Sequence, residues 1–277
     1  MRVRFTACLC AALLLWVSAN VNAAPFGELW PYWASHVADS TIDVDHQPWQ
    51  RILDKHLSVN SDGINRVHYQ NFTDADKRHL DDYLDYLGAL APTQLSRGQQ
   101  LPYWINLYNA LTVRVVLEHP DKDSIKQMKS KLFSLGPWDD EQLQVEGFAI
   151  TLNDIEHRIL RPIWRDPRIH YAVNCASIGC PNLGATAYTQ RNATTLLAKA
   201  ERAYLQHARG LAFDAGGILR LSSIFDWYQE DFGRNEQALL EYLALVRTDI
   251  RDQLLNYSGS IDYHYDWSLN SQRSTRD

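Results

Sequence analysis

One long segment, residues 99–118, is apolar on nearly every side of the helix that its spacing predicts. A helix that is apolar nearly all round is normally buried at the centre of a domain. Polar side chains within it must find partners, because an unpaired buried amide costs about 1–3 kcal/mol. The main apolar stripe is Leu101, Trp104, Ile105, Tyr108, Leu111 and Val115, and the polar residues are Asn106, Asn109 and Arg114.

Shorter periodic segments predict helices near residues 48–57, 73–88, 153–165, 193–208 and 236–255. Alternating apolar positions predict a strand at 148–152, a hairpin over 211–221 and a last strand at 261–267. Thr73 is the predicted N-cap of one helix. Asn153, with Glu156 three residues later, predicts a capping box for another.

These elements predict an α+β fold in a single domain. We expect the central helix to pack on a small mixed or antiparallel sheet. Residues 24–94 form a predicted N-terminal helical extension, residues 95–270 the core domain and residues 271–277 a disordered tail.

The N-terminus has the pattern of a secretory signal peptide over residues 1–23. Arg2 and Arg4 precede an apolar run that is shorter than the about 20 residues of a membrane-spanning helix. Cleavage is predicted after Ala23, with Ala24 as the second choice. We therefore expect a periplasmic or secreted protein with no stable membrane anchor after cleavage.

The full chain has 277 residues and a formal charge of −6. Removing the predicted signal peptide takes away two arginines and no acidic residue, which leaves a formal charge of −8. An acidic surface repels phosphate backbones, so no nucleic-acid partner is predicted.

Residues 168–182 contain Cys175 and Cys180, the only cysteines that remain after the signal peptide. The alternation of Ile169, Tyr171 and Val173 predicts a strand that ends in a loop of small residues. On a regular strand, His170 points away from the face that carries Cys175, because successive side chains alternate. A direct pair of His170 and Cys175 is therefore not expected.

A thiol nucleophile at Cys175 is the first chemical hypothesis, because a cysteine needs little activation beyond a lowered pKa. His157 is the predicted base, and Asn106 or Asp226 is predicted to orient its imidazole. The predicted substrate-binding residues are Arg161, Trp104, Asn109 and His170. Arg161 lies four residues after His157, on the same face of the predicted helix, where it can bind a carboxylate or pair with an acid of the chain.

Two alternatives compete with a free nucleophile. Export would permit a Cys175–Cys180 disulfide, and an even cysteine count agrees with one. Zinc bound by both sulfurs and a histidine is a weaker alternative, so no metal is predicted. No cofactor is predicted either, since the chain has no phosphate-binding glycine loop and no H-E-x-x-H motif.

Five segments, in this order along the chain, resemble hallmarks of the bacterial and eukaryotic family called domain of unknown function 547 (DUF547). They are residues 101–111, 152–161, 170–181, 224–228 and 265–270. The resemblance covers roughly residues 95–235, with weaker support to 270. The resemblance implies membership of this family, and the name of the family states no activity. A distant similarity to papain-like and transglutaminase-like thiol enzymes is an analogy of fold only.

Two functions follow as hypotheses. The first is a thiol-dependent hydrolase or transferase that acts on amide or ester bonds of a small molecule or envelope peptide. The second is a non-catalytic binding or scaffolding domain of the cell envelope, in which a Cys175–Cys180 bridge is structural.

Overall fold

The computed structural model describes residues 27–129 and 136–272. The predicted signal peptide and residues 273–277 of the predicted tail lie outside these ranges. Ser271 pairs with Val67, and Gln272 donates a backbone hydrogen bond to the Val67 carbonyl, so the ordered chain continues past the predicted boundary at 270. None of the helices in the described ranges is long and apolar enough to cross a membrane.

The predicted α+β class is confirmed. The α-helices are α1 (Gln47–His56), α2 (Asp74–Ala89), α3 (Arg97–Glu118), α4 (Arg161–Trp164), α5 (Ala193–Gln206), α6 (Ile224–Trp227), α7 (Gln229–Phe232), α8 (Glu236–Val246) and α9 (Arg251–Leu255). A π-helix spans Asp154–Leu160, and 3-10 helices span Pro31–Ala34, Tyr69–Asn71, Pro92–Gln94, Ile125–Gln127, Pro167–Tyr171 and Thr248–Ile250. The strands are β1 (Leu57–Val59), β2 (Asn65–Val67), β3 (Leu143–Val145), β4 (Phe148–Ile150), β5 (Leu211–Phe213), β6 (Leu219–Ser222) and β7 (Ile261–His264).

The described strands form three small sheets. β1 with β2 and β3 with β4 are antiparallel hairpins. β5 and β6 form the predicted hairpin, and β7 joins β6 in parallel to give a three-stranded mixed sheet.

The predicted central helix is α3, and its residues from Gln99 to Val113 are buried except for half-buried Leu101. It packs mainly on α2 and on the π-helix. The three-stranded sheet instead shares a second apolar core with α5 and α8. The apolar surface of α3 is therefore covered mainly by other helices, with side chains of the β3–β4 hairpin in the same core.

Two helix starts are built from short polar pairs. Thr73 caps α2 as predicted, in a capping box in which its side chain accepts from the Asp76 amide. The predicted cap at Asn153 is wrong. Thr151 and Asp154 exchange the capping hydrogen bonds there, and Glu156 takes no part in them.

The strand predicted over residues 169–175 is also wrong. Pro167 opens a 3-10 helix with its fixed φ, and the Asp166 side chain accepts from the Arg168 amide at the N-cap. Residues 169–174 are all buried, so their alternation did not mark an inner and an outer face.

Candidate functional site

The loop that carries the cysteines, residues 172–182, is held in place by Asn109 of α3. The Asn109 amide donates to the Ala172 carbonyl over 2.9 Å and accepts from the Asn174 amide over 2.8 Å. The loop backbone has no regular secondary structure, so these two polar groups form their hydrogen bonds with a side chain of the central helix. Asn109 was predicted to bind substrate, and in this structure its side chain holds the loop.

Asn174 holds the loop from within. Its side chain donates to the Pro181 carbonyl over 2.6 Å and accepts from the Ala176 amide over 2.9 Å. Ala176, directly after Cys175, has a φ of 59°, which is uncommon for a residue with a side chain. Such backbone conformations persist only where the surroundings fix them, and they cluster at functional sites.

The C-terminal segment, residues 265–270, runs along the same loop. The Gly179 amide donates to the Asp266 carbonyl over 2.8 Å, and the Ile178 amide donates to the Ser268 carbonyl over 2.7 Å. A Cβ atom on Gly179 would lie 2.7 Å from the Asp266 nitrogen, so this approach requires glycine. The contact brings Tyr265 to the thiols.

Cys175 and Cys180 are free thiols in this structure, with Sγ atoms 3.0 Å apart. The Cys175 Sγ also lies 3.1 Å from the Tyr265 hydroxyl and 3.2 Å from the Ser177 hydroxyl. Ser177 donates to the Tyr265 oxygen over 3.0 Å, which leaves the Tyr265 hydrogen for the sulfur. An ionised Cys175 therefore has donors on two sides, the Cys180 thiol and the Tyr265 hydroxyl.

The two thiols differ in acidity. The hydrogen bond with Cys180 lowers the pKa of Cys175 below its usual range, and the contacts with Ser177 and Tyr265 act in the same direction against the effect of burial. Burial raises the pKa of Cys180 well above the usual range. Cys175 is half-buried and Cys180 is buried, so the residue with the more acidic thiol is also the less buried of the two.

Residues 92–205 match the family model described as protein of unknown function, DUF547. The protein is a DUF547 domain-containing protein. The match confirms the predicted family and includes α3, the π-helix and the cysteine loop. Comparisons with curated proteins and with solved structures gave no significant match.

The predicted pair of Cys175 and His157 is not formed in this DUF547 protein. His157 Nδ1 accepts a hydrogen bond from Arg161 Nη1 over 3.0 Å. Among the described residues, the side chains that hydrogen-bond the Cys175 sulfur are Cys180, Ser177 and Tyr265. None of them is an imidazole.

Arg161 and His170 belong to an ion-pair network that connects the π-helix to α7. Arg161 Nε lies 2.6 Å from Asp231 Oδ2, and its Nη2 lies 3.0 Å from Glu230. His170 Nε2 lies 2.6 Å from the same Asp231 oxygen, and its Nδ1 lies 3.5 Å from Glu156. In this structure Arg161 therefore pairs with acids of its own chain.

This network sets the ionisation of its members. Burial alone would raise the pKa of Glu156, but His157, His170 and Arg161 hold it at about 2. Burial would also raise the pKa of Asp231, which His170 and Arg161 hold at about 2. The pKa of His170 is raised, because the two carboxylates outweigh its burial.

His157 has the opposite shift within the same network. Burial lowers its pKa to about 4, and the positive charge of the neighbouring Arg161 acts in the same direction. His157 is therefore neutral at pH 7 and presents Nδ1 as an acceptor to Arg161.

The remaining predicted residues make none of the described hydrogen bonds to the two sulfurs. Asn106 exchanges two hydrogen bonds with the backbone of Tyr188, over 2.8 and 3.1 Å. Trp104 is fully buried, with its ring edge-on to Trp33 at 5.1 Å. Asp226 is exposed on α6.

Tyr265, Glu156 and Asp231 are important members of these clusters that sequence reasoning missed. Tyr265 and Asp231 lie outside the matched DUF547 region; Tyr265 begins the segment 265–270 that resembles the family, but nothing in the sequence connected it to the cysteines. Glu156 stands beside His157 in its motif, and that adjacency was the one available signal. Within residues 27–129 and 136–272, no group of three or more His, Cys, Asp or Glu side chains is arranged to hold a metal.

Proposed function

We propose that the protein is a thiol-dependent enzyme whose reaction is thiol–disulfide exchange, with Cys175 as nucleophile and Cys180 as resolving thiol. The proposal rests on the close approach and the different acidities of the Cys175 and Cys180 thiols. The thiol of half-buried Cys175, with a lowered pKa, lies 3.0 Å from the thiol of buried Cys180, with a raised pKa. The attacking species in exchange is a thiolate, and the second thiol must be within bonding reach of the first.

The reaction proceeds in two displacements. The Cys175 thiolate attacks one sulfur of a substrate disulfide, forms a mixed disulfide with it and releases the other sulfur as a thiolate. Cys180 then loses its proton to solvent or to the released thiolate and attacks the Cys175 sulfur. A Cys175–Cys180 disulfide forms, the second substrate thiolate leaves, and two electrons have passed from the protein to the substrate.

Exchange suits this site better than cleavage of amide or ester bonds. An acyl-transfer enzyme needs a base and acid beside its nucleophile, usually a histidine. The described contacts of Cys175 include two hydroxyls and a thiol but no imidazole. The predicted signal peptide supports the proposal, because export would bring the site to a compartment where disulfides persist.

The proposal is tested by mixing the reduced protein with glutathione disulfide and following products by mass spectrometry. We expect the wild-type protein to form an internal disulfide and to release two molecules of glutathione. C180S should stop at a glutathione adduct on Cys175, and C175S should form no rapid adduct. Slow labelling of C180S, at the same rate as an unfolded thiol, would refute the proposal.

The same variants distinguish the hydrolase. If C180S instead accumulates an acyl adduct on Cys175 from p-nitrophenyl acetate and does not react with glutathione disulfide, the thiol acts in acyl transfer. In that case exchange is not its reaction.

A further inference from the structure

Arg209, between α5 and β5, holds the turn that carries Cys180. Its Nη1 donates to the Ile178 carbonyl over 3.0 Å, and its Nη2 donates to the Asn182 side-chain oxygen over 2.6 Å. These acceptors lie two residues before and two residues after Cys180. A guanidinium can bridge two acceptors in this way because its donors point in fixed directions. The positive charge therefore lies against the turn of residues 178–182.

Tyr204 of α5 contacts both this turn and the guanidinium. Its hydroxyl donates to the Gly179 carbonyl over 2.7 Å, and Arg209 Cζ lies 5.5 Å from the centre of its ring. A cation over an aromatic face is attracted by the electrons of the ring. The backbone beside Cys180 and the position of the charge are thus fixed by the same pair of side chains.

The charge of Arg209 is not neutralised by a carboxylate within the described residues. None of the ion pairs in residues 27–129 and 136–272 includes Arg209, and its Nε is buried without a hydrogen-bond partner. Asp62 acts on it at longer range, but Asp62 already pairs with Arg66, Oδ2 to Nη2 at 2.7 Å. The His207 ring, with Nε2 2.9 Å from the Asp62 carbonyl, adds no negative charge. One positive charge is therefore left beside the turn.

Cys180 needs such a charge when it reacts. Burial raises its pKa well above the usual range, yet a thiol must be ionised to attack a disulfide. The Cys175 amide donates to the Cys180 sulfur over 3.0 Å and supplies one stabilising contact. Burial lowers the pKa of Arg209, and ionised Tyr204 and Cys180 act against burial. Because such coupling is reciprocal, the charge of Arg209 favours the Cys180 thiolate.

We propose that Arg209 is the positioning residue of the resolving step and supplies the positive charge that stabilises the Cys180 thiolate. This inference rests on the proposed thiol–disulfide exchange. In that step the proton of Cys180 passes to solvent, the Cys175–Cys180 bond forms, and the bond from Cys175 to the substrate sulfur breaks. The first displacement should not depend on Arg209, which is not among the side chains that hydrogen-bond the Cys175 sulfur.

The test uses dithiodipyridine, a neutral disulfide, in equimolar amount with the reduced full chain. All variants carry C8S/C10S, so that Cys175 and Cys180 are the only thiols. Each molecule of reagent should release two molecules of thiopyridone, the first on attack by Cys175 and the second on resolution by Cys180. Stopped-flow absorbance at pH 7 follows both.

We expect R209Q to leave the first release unchanged and to slow the second about tenfold, the effect of one pKa unit on the thiolate fraction. R209K should resolve at nearly the wild-type rate, because lysine keeps the charge although it cannot bridge both acceptors. R202Q, which changes an exposed arginine of α5, should behave like the wild type in both steps.

The other outcomes would overturn the role of Arg209. Equal slowing of the second release in R209K and R209Q would show that holding the turn, and not charge, is its contribution. A first release that slows as much as the second would mean that Arg209 supports the whole loop. A wild-type second rate in R209Q would remove the role and leave exchange intact, whereas a single release in the wild type would refute resolution by Cys180 itself.

Discussion

The side chains that hydrogen-bond the Cys175 sulfur come from very different distances along the chain. Ser177 is 2 residues away, Cys180 is 5 and Tyr265 is 90. The spacing of the two cysteines was visible in the sequence, and so was the possibility of their pairing. The contribution of Tyr265 was not, because nothing local links a tyrosine in a C-terminal strand pattern to a thiol in a distant loop.

Removing the Tyr265 hydroxyl should make Cys175 less acidic. A hydrogen bond to a charged group is worth about 1.5–3 kcal/mol, which corresponds to roughly 1–2 pKa units. We expect Y265F to shift the midpoint of iodoacetamide labelling of Cys175 upward by about one pH unit. Labelling rates of the native protein, measured from pH 5 to 10, give this midpoint.

Y263F is the matched control for that experiment. Tyr263 lies two residues earlier, and none of the described contacts of the Cys175 sulfur involves it. Its removal should leave the labelling midpoint unchanged. An unchanged midpoint in Y265F as well would show that the tyrosine does not stabilise the thiolate.

Asn106 and Asn109 illustrate what burial can and cannot predict. The pattern of the central helix required partners for both amides, and both have them. A buried amide is satisfied equally by backbone, substrate or imidazole, so the requirement alone could not identify the partner. Their predicted catalytic and binding roles stay predictions, whereas their contacts in this structure stabilise loops.

At the scale of elements, the cysteine loop is defined by what it packs against. The period-2 pattern of residues 169–175 predicted a strand, yet a proline and an aspartate cap at its start produce a 3-10 helix. The pattern was uninformative because the segment is buried on all sides. Helices with one apolar face, such as α2, were correctly predicted from the same kind of evidence.

The loop's approach to the C-terminal segment gives an element-scale prediction. In G179A the new Cβ would meet the Asp266 backbone at 2.7 Å, so the two segments must separate. We expect a loss of about 1–3 kcal/mol in the free energy of unfolding, the usual range for overpacking. Because Tyr265 moves with its segment, iodoacetamide labelling of Cys175 at pH 7 should also slow.

Gly184 provides the comparison within the same part of the chain. A Cβ there would lie 3.6 Å or more from its neighbours, so G184A should stay within about 0.5 kcal/mol of the wild type. Urea unfolding measures both variants. Equal stability of G179A and G184A would mean that the close approach does not hold the loop.

At the scale of the whole molecule, the sequence predicted the class, the single domain and the family, since these depend on patterns that extend over many residues. It did not predict how the parts meet. Asp231 of α7 joins Arg161 of α4 and His170 of the 3-10 helix, and this contact links the DUF547 region to the C-terminal part. Long-range ion pairs of this kind leave no periodic signal.

That network should make the protein sensitive to acid in a defined way. His157 has a pKa of about 4 in the fold, below its usual 6.5. Between these values the unfolded chain binds the proton and the folded protein does not, so stability falls as the pH falls from 6.5 to 4. Glu156 and Asp231, both at about 2 in the fold, add a further loss from about pH 4.5 down to 2.

H157Q separates the first of these losses from the second. A glutamine amide oxygen can still accept from Arg161, but it takes up no proton on unfolding. We therefore expect the stability of H157Q to fall less than that of the wild type between pH 6.5 and 4, by on the order of 2 kcal/mol. Urea unfolding at half-unit pH steps measures the difference.

Below pH 4 the H157Q curve should fall less steeply than the wild-type curve, because His157 is one of the groups that lower the pKa of Glu156 in the fold. H79Q, which changes an exposed histidine of α2, should follow the wild-type curve throughout. If H157Q also follows it, His157 is protonated in the folded protein. The neutral acceptor that the Arg161 contact requires would then be ruled out.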